Sequence, residues 1–371
     1  MAIYIIYDDF YLKHDTGPSH PENPQRLISI VEAIYESDIK DDLVFEKPYF
    51  SDEATVELVH DPDYLESIKS LSNREGYFYL DMDTVVSRYT YECALLAAGG
   101  CFKGLDLVLA SNAETRAGLA REGLKARKYF SLVRPPGHHA FKGRGSGFCI
   151  FNNVALSARY AQVRYGVKKV AIIDFDVHHG NGTQDIFYED PSIFYISFHQ
   201  YPHYPGSGFY DEIGIGDGKG FNLNFPFPAY TGEEAYILAI IDIIMPLIER
   251  FGPELILVSA GYDAHTDDPL SLMRLNDSSY FKIAYLISYM SRIHCGGKLG
   301  LVLEGGYNCS STSRSVIKTI LGCIEEEKSQ KRVDTVDDLK EVLGININYR
   351  ERLDKEILKI FDYLEKVFKL Y

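Results

Sequence analysis

Six short runs of the chain are apolar almost without interruption: AIYIIYD (2–8), YFSLVR (129–134), KKVAIID (168–174), SIFYISF (192–198), ELILVSA (254–260) and KLGLVLE (298–304). A strand with one wet face alternates. A continuous run of five or six apolar residues suits a strand covered on both faces. Helical periodicity fills the intervals, in NPQRLISIVEAIYES, NNVALSARYAQVRYG, EEAYILAIIDIIMPLIERFG and DSSYFKIAYLISYMSRI. Pro24 suits the first turn of the first helix, and Gly166 and Gly252 suit the ends of the next two. This alternation predicts an α/β fold with a mostly parallel, doubly wound sheet and helices on both faces.

At 371 residues and 46% apolar composition the chain can bury a sizeable core. No linker-like stretch divides it, so residues 1–371 read as a single domain, with helices from about residue 335 packed on the body. Segment 199–230, long and rich in Gly, Pro and aromatic residues, reads as a binding loop. The formal net charge of −15 argues against nucleic-acid and anionic-membrane partners, which require a basic surface. Six scattered cysteines without a C-x-x-C pair read as reduced core residues of a cytoplasmic protein. The start MAIYIIYDDF has no basic segment and reads as a strand, not a signal peptide. The longest apolar run, AYILAIIDIIMPLI, contains Asp242 and Pro246 and is too short to span a bilayer.

Ionisable groups follow four of the strands. PPGHHA brings His138 and His139, DFDVHHGNG brings Asp174, Asp176 and His178, GYDAHTDDP brings Asp263, and EGGYN brings Tyr307. Ligands of open parallel sheets bind beyond the carboxyl ends of the strands, so four distant segments aim polar groups at one edge. Asp176 and His178, two apart, point the same way in an extended segment. With Asp263 they make a two-carboxylate, one-imidazole set that fits a catalytic Zn²⁺ or Fe²⁺ with a position left for water. Singly, each feature has a plain reading: a chance D-x-H, a polar turn, a packed tyrosine. Their conjunction at strand ends is what selects a site.

The segments RPPGHHA, GFCIFNNVALSA, DFDVHHGNGTQ, SAGYDAHTDDPL and LEGGYN resemble the zinc-dependent histone deacetylase and acetylpolyamine amidohydrolase family, from HPENPQRL (20–27) to about residue 325. The resemblance implies an arginase-like fold with an eight-stranded parallel sheet and long loops at one edge. It implies Asp176, His178 and Asp263 as ligands of one zinc ion, with Fe²⁺ as the alternative. His138 and His139 become the tandem histidines beside the attacking water, and His139 is read as general base and acid. Tyr307 becomes the hydroxyl donor to the scissile carbonyl, while Asp174 orients His138 and Asn181 orients His139. Phe148, Gly147 and Tyr204 become tunnel residues, Asp83 a rim residue, and Arg26 the cation at an acetate exit. Backbone around Asp174, Asp176, His178, Ser197 and Phe198, and around Phe187, Asp190 and Ile193, resembles two structural K⁺ or Na⁺ sites.

The implied reaction removes acetyl or other acyl groups from acyl-lysine side chains or similar acylated amines. Asn181 and LEGGY place the chain nearer the class II type, with Glu304 read as a structural hydrogen-bonding carboxylate. Leu270 stands where a polyamine-selective relative carries glutamate and tilts the substrate toward acyl-lysine, with acetylpolyamine amidohydrolase as the alternative. DAHTD (263–267) imitates a binuclear-manganese ureohydrolase, but LVLEGGYN lacks that family's second aspartate motif, which leaves His265 and Asp267 as loop or rim residues. A non-catalytic acyl-lysine binder is opposed by the complete set of reactive groups. The chain reads as a stand-alone enzyme whose oligomeric state, a homo-oligomer included, the sequence leaves open.

Overall fold

The computed structural model describes residues 3–110, 126–328, 335–345 and 349–370. Its main sheet has eight strands: β1 (Ile3–Ile6), β2 (Leu43–Glu46), β5 (Lys128–Ser131), β6 (Val170–Asp174), β7 (Ile193–Gln200), β8 (Asn222–Phe227), β9 (Leu255–Ala260) and β10 (Leu299–Leu303). A separate antiparallel hairpin joins β3 (Phe78–Tyr79) to β4 (Val85–Val86). The main sheet runs β2-β1-β5-β10-β9-β6-β7-β8, and every pairing in it is parallel.

The uninterrupted apolar runs are explained by cores on both faces. Ile3 and Ile5 enter one core while Tyr4 and Ile6 enter the other. Ala171 and Ile173 are likewise separated from Val170 and Ile172, and Ile256 and Val258 from Leu255 and Leu257. The four expected helices span Gln25–Glu36, Asn153–Tyr165, Glu233–Phe251 and Asp277–Cys295. The third passes through a π-helical stretch over Ala239–Ile244, just before Pro246, which cannot donate to the Asp242 carbonyl. Gly166 and Gly252 end their helices in the left-handed conformation, at φ 67° and 63°. No described helix is long and apolar enough to cross a membrane. The C-terminal helix Lys355–Phe368 buries Ile360, Phe361 and Leu364 against the larger core.

The loop reading of 199–230 needs correction. Its first two residues complete β7, and Asn222–Phe227 is the edge strand β8. Two asparagines and Pro226 hide the strand signal, and proline is tolerated there because an edge strand has a ladder on one side only. The loop is the stretch between these strands, and residues 228–230 form a turn beyond β8.

Beneath the central strand ends, three charged groups are buried. Glu22, with no exposed surface, accepts from Arg134 at 2.5 and 2.8 Å and from Arg26 at 3.1 Å. Burial alone would raise the Glu22 carboxyl, but the two guanidinium groups outweigh it and hold it well below the usual range. Glu22→Ala would strand two buried cations, and we expect a loss of about 3–5 kcal/mol in denaturant unfolding. The contribution is full above the unfolded carboxyl value near ~4.3 and is lost as pH falls below it. An alanine variant as stable as the parent would contradict this.

Candidate active site

The four central, contiguous strands are β5, β10, β9 and β6. They are also the four strands whose following segments carry the ionisable groups. Along the chain they are scattered between Lys128 and Leu303, but sheet order makes them neighbours.

Beyond β6 and β9, Asp176, His178 and Asp263 converge, with one donor atom of each lying within 4.8 Å of the others. His178 Nδ1 faces Asp176 Oδ1 at 3.1 Å and Asp263 Oδ2 at 3.0 Å. Backbone N–H groups fix both carboxylates: Gly305 donates to Asp176 at 2.8 Å, and Val177 donates to Asp263 at 2.9 Å. A Cβ at Gly305 would collide with both carboxylates, which accounts for glycine there. Burial, and then the charge of Asp176, push the Asp263 carboxyl up to about 7. Two buried carboxylates and an imidazole turned toward one another make a donor set whose chemistry fits a divalent ion.

Beyond β5, the two histidines have different partners. His138 Nδ1 meets Asp174 Oδ2 at 3.0 Å, and the Tyr195 hydroxyl donates to the same oxygen at 2.9 Å. His139 Nδ1 meets Asn181 Oδ1 at 2.8 Å. Burial by itself would lower His138, but Asp174 and Asp176 outweigh it and bring it up to about 10. Burial, then the charges of His138 and His178, hold His139 well below its ordinary value. The surroundings thus favour the imidazolium form of one ring and the neutral form of its neighbour. Glu304 fixes the turn that carries them, accepting the Gly137 N–H at 2.7 Å and the His138 N–H at 3.2 Å.

A cavity of about 350 Å³ opens over this cluster, lined by Phe148, Tyr204, Leu270, Gly147, Asp83 and Tyr307 together with His139 and His178. Tyr204 stands 5.2 Å from the His139 ring, and Phe148 stands edge-on to Tyr307 at 5.7 Å. Gly147 sits at φ 53°, and a Cβ there would run into His139. Burial keeps the Tyr307 hydroxyl far above its usual titration range, so it is a donor at neutral pH. Arg26 lies under that ring at 5.0 Å, donating to the Gly306 and Glu304 carbonyls and to Glu22. The residues read as cation sites fall into two places. Asp174 and Ser197 are paired across β6 and β7, beside Phe198, and Phe187, Asp190 and Ile193 form the turn into β7.

Several contributors escaped the sequence. His20 packs edge-on to Phe148 at 4.7 Å and His203 stacks on His178 at 5.1 Å, and both line the cavity. Asp81, two residues before the expected rim residue Asp83, is the one that accepts the Gly147 N–H, at 3.1 Å. His265 is a structural residue, bonded to Asp277 at the start of the helix Asp277–Cys295. Nothing local in the sequence marks His20, His203 or Asp81, apart from the repeated aspartates of LDMDT.

A parallel sheet with histidine, carboxylate and tyrosine groups over its central strand ends defines a hydrolase of the deacetylase type. The histone deacetylase domain profile matches residues 20–323. Histone deacetylase 10, chloroplastic, of Oryza sativa subsp. japonica is 39% identical over 365 residues, covering 94% of this chain and 80% of the relative. A probable deacetylase of Archaeoglobus fulgidus is 36% identical over 310 residues, covering 83% and 82%. Among solved structures the HDA15 HD domain superposes with a TM-score of 0.79 at 30% identity, covering 97% of this chain and 99% of that one. The chain belongs to the histone deacetylase family, and its fold is the arginase/deacetylase one.

Proposed function

We propose that this protein is a zinc-dependent amidohydrolase that removes acetyl or related acyl groups from acyl-lysine side chains. The observation that carries the reading is the buried trio Asp176, His178 and Asp263 at the floor of a cavity that also holds His139 and Tyr307. The trio would hold the ion. A zinc ion there supplies a Lewis acid, which lowers the pKa of water toward ~7 and polarises a carbonyl oxygen. Phe148 and Tyr204 offer flat walls to an alkyl stem. His139, neutral and oriented by Asn181, takes the proton of the attacking water and returns it to the departing amine. Tyr307 donates its hydroxyl to the oxygen on which charge develops. His138, held as imidazolium by Asp174, adds a positive charge beside that oxygen. Arg26 is proposed as the cation met by a leaving carboxylate, and the two backbone turns as K⁺ or Na⁺ sites.

Leu270 at the mouth offers no charge to a second ammonium. The expected result is therefore a higher kcat/KM for an acetyl-lysine peptide than for N-acetylputrescine, with Tyr307→Phe slower on the peptide by ~10²–10³. Preference for the small amine would favour the second reading, an acetylpolyamine amidohydrolase.

A further inference from the structure

Tyr307 follows two glycines, so the segment that presents it has little stiffness of its own. Something outside the segment must hold it. From below, Arg26 takes the carbonyls of Glu304 and Gly306. From the other side stands Asp268, a residue with 5% of its surface exposed and no part in the site as described above. Its Oδ2 accepts the Tyr307 N–H at 2.6 Å and the Asn308 N–H at 3.3 Å, and its Oδ1 accepts the Leu270 N–H at 2.9 Å. The Leu270 carbonyl in turn accepts from His203 Nε2 at 3.0 Å. A carbonyl only accepts, so His203 must carry its proton on that nitrogen. One carboxylate therefore ties the tyrosine segment to the lip carrying Leu270, and the lip is tied to the loop carrying His203 and Tyr204.

We propose that Asp268 is a positioning residue for Tyr307: by accepting the backbone N–H groups of Tyr307, Asn308 and Leu270 it holds the phenol over the site and fixes the mouth lip relative to it. Charge-assisted bonds of this kind are short and directional, and a buried carboxylate with three N–H donors is a rigid node. The proposal rests on the reading of Tyr307 as donor to the substrate carbonyl. A displacement near 1 Å at such a donor is enough to cost ~10²-fold.

The test uses the zinc-loaded chain with Asp268→Ala, Tyr307→Phe and the double variant. Amide hydrogen exchange is expected to quicken at Tyr307 and Asn308 in Asp268→Ala while β10 keeps its protection. On an acetyl-lysine peptide, kcat should fall ~10–10²-fold with little change in KM. Asp268→Ala should add almost nothing in the Tyr307→Phe background, because both variants remove the same interaction. Unchanged exchange at Tyr307 and Asn308, or losses that multiply in the double variant, would overturn the proposal. If Tyr307→Phe alone leaves kcat intact, the reading of Tyr307 fails, while the exchange result still decides whether Asp268 holds the segment. Should the alanine variant not fold, Asp268→Asn gives the same readout. Its single amide oxygen serves only one of the two loops, so exchange should quicken in the other, and unaltered exchange in both would overturn the proposal.

Discussion

His139→Ala should lower turnover of an acetyl-lysine peptide by ~10²–10⁴, the range that general acid–base groups supply. The reason lies in the unlike surroundings of two adjacent rings. Asn181 gives His139 a neutral oxygen at 2.8 Å, and burial, with the charge of the adjacent His138, holds it unprotonated. Asp174 gives His138 a carboxylate at 3.0 Å that favours the imidazolium. A ring that already holds its proton is a poor acceptor at neutral pH, so base duty falls to His139. His138→Ala removes positive charge beside the reacting oxygen and should mainly weaken electrostatic stabilisation. The comparison is made by kcat at pH 7 on both variants at equal metal content. A His139→Ala enzyme that keeps more than a tenth of parental turnover would contradict the assignment.

Asp263→Asn should abolish tight metal uptake, a loss larger than the ~10–100-fold that residues merely orienting a ligand are worth. The amide is a weaker donor and removes one of the two negative charges that call for a cation. Its effect on the metal-free protein should run the other way. Burial and the charge of Asp176 raise the Asp263 carboxyl to about 7, so the folded metal-free state holds a proton there that the unfolded chain releases near ~4. That linkage is a contribution that falls as pH rises from about 4 through 7. It is opposed in the parent by buried histidines such as His14 and His60, which burial holds below their ordinary value and which favour folding as pH rises. The amide that Asp263→Asn introduces does not titrate, so the stability of the metal-free variant relative to the metal-free parent should rise between pH 5 and 7. Isothermal titration with zinc, followed by melting of the stripped proteins at pH 5 and 7, checks both halves.

The ionisable groups at the floor of the candidate site were legible because they follow strands whose apolar runs are unmistakable. His138, Asp176, Asp263 and Tyr307 are all placed by such runs. Strand order is another matter. That β5, β10, β9 and β6 are neighbours follows from crossovers and packing, which no local pattern records. The two strands of the main sheet absent from the sequence reading, β2 and β8, are its edges. The first has four residues, all partly exposed, and the second contains Pro226, so neither has the doubly buried signature. Asp268 and His203 were missed for a further reason. Their partners are backbone groups of loops, and backbone groups leave no mark on composition.

The measurement that bears most directly on the account is acetate release from an acetyl-lysine peptide by the metal-stripped chain as zinc is added back, with Asp263→Asn alongside. Release that is absent without metal, climbs to a plateau at one equivalent of zinc and stays absent in the variant is the predicted result. Acetate released at the same rate by stripped and reloaded protein, or none released by the reloaded parent, would contradict it.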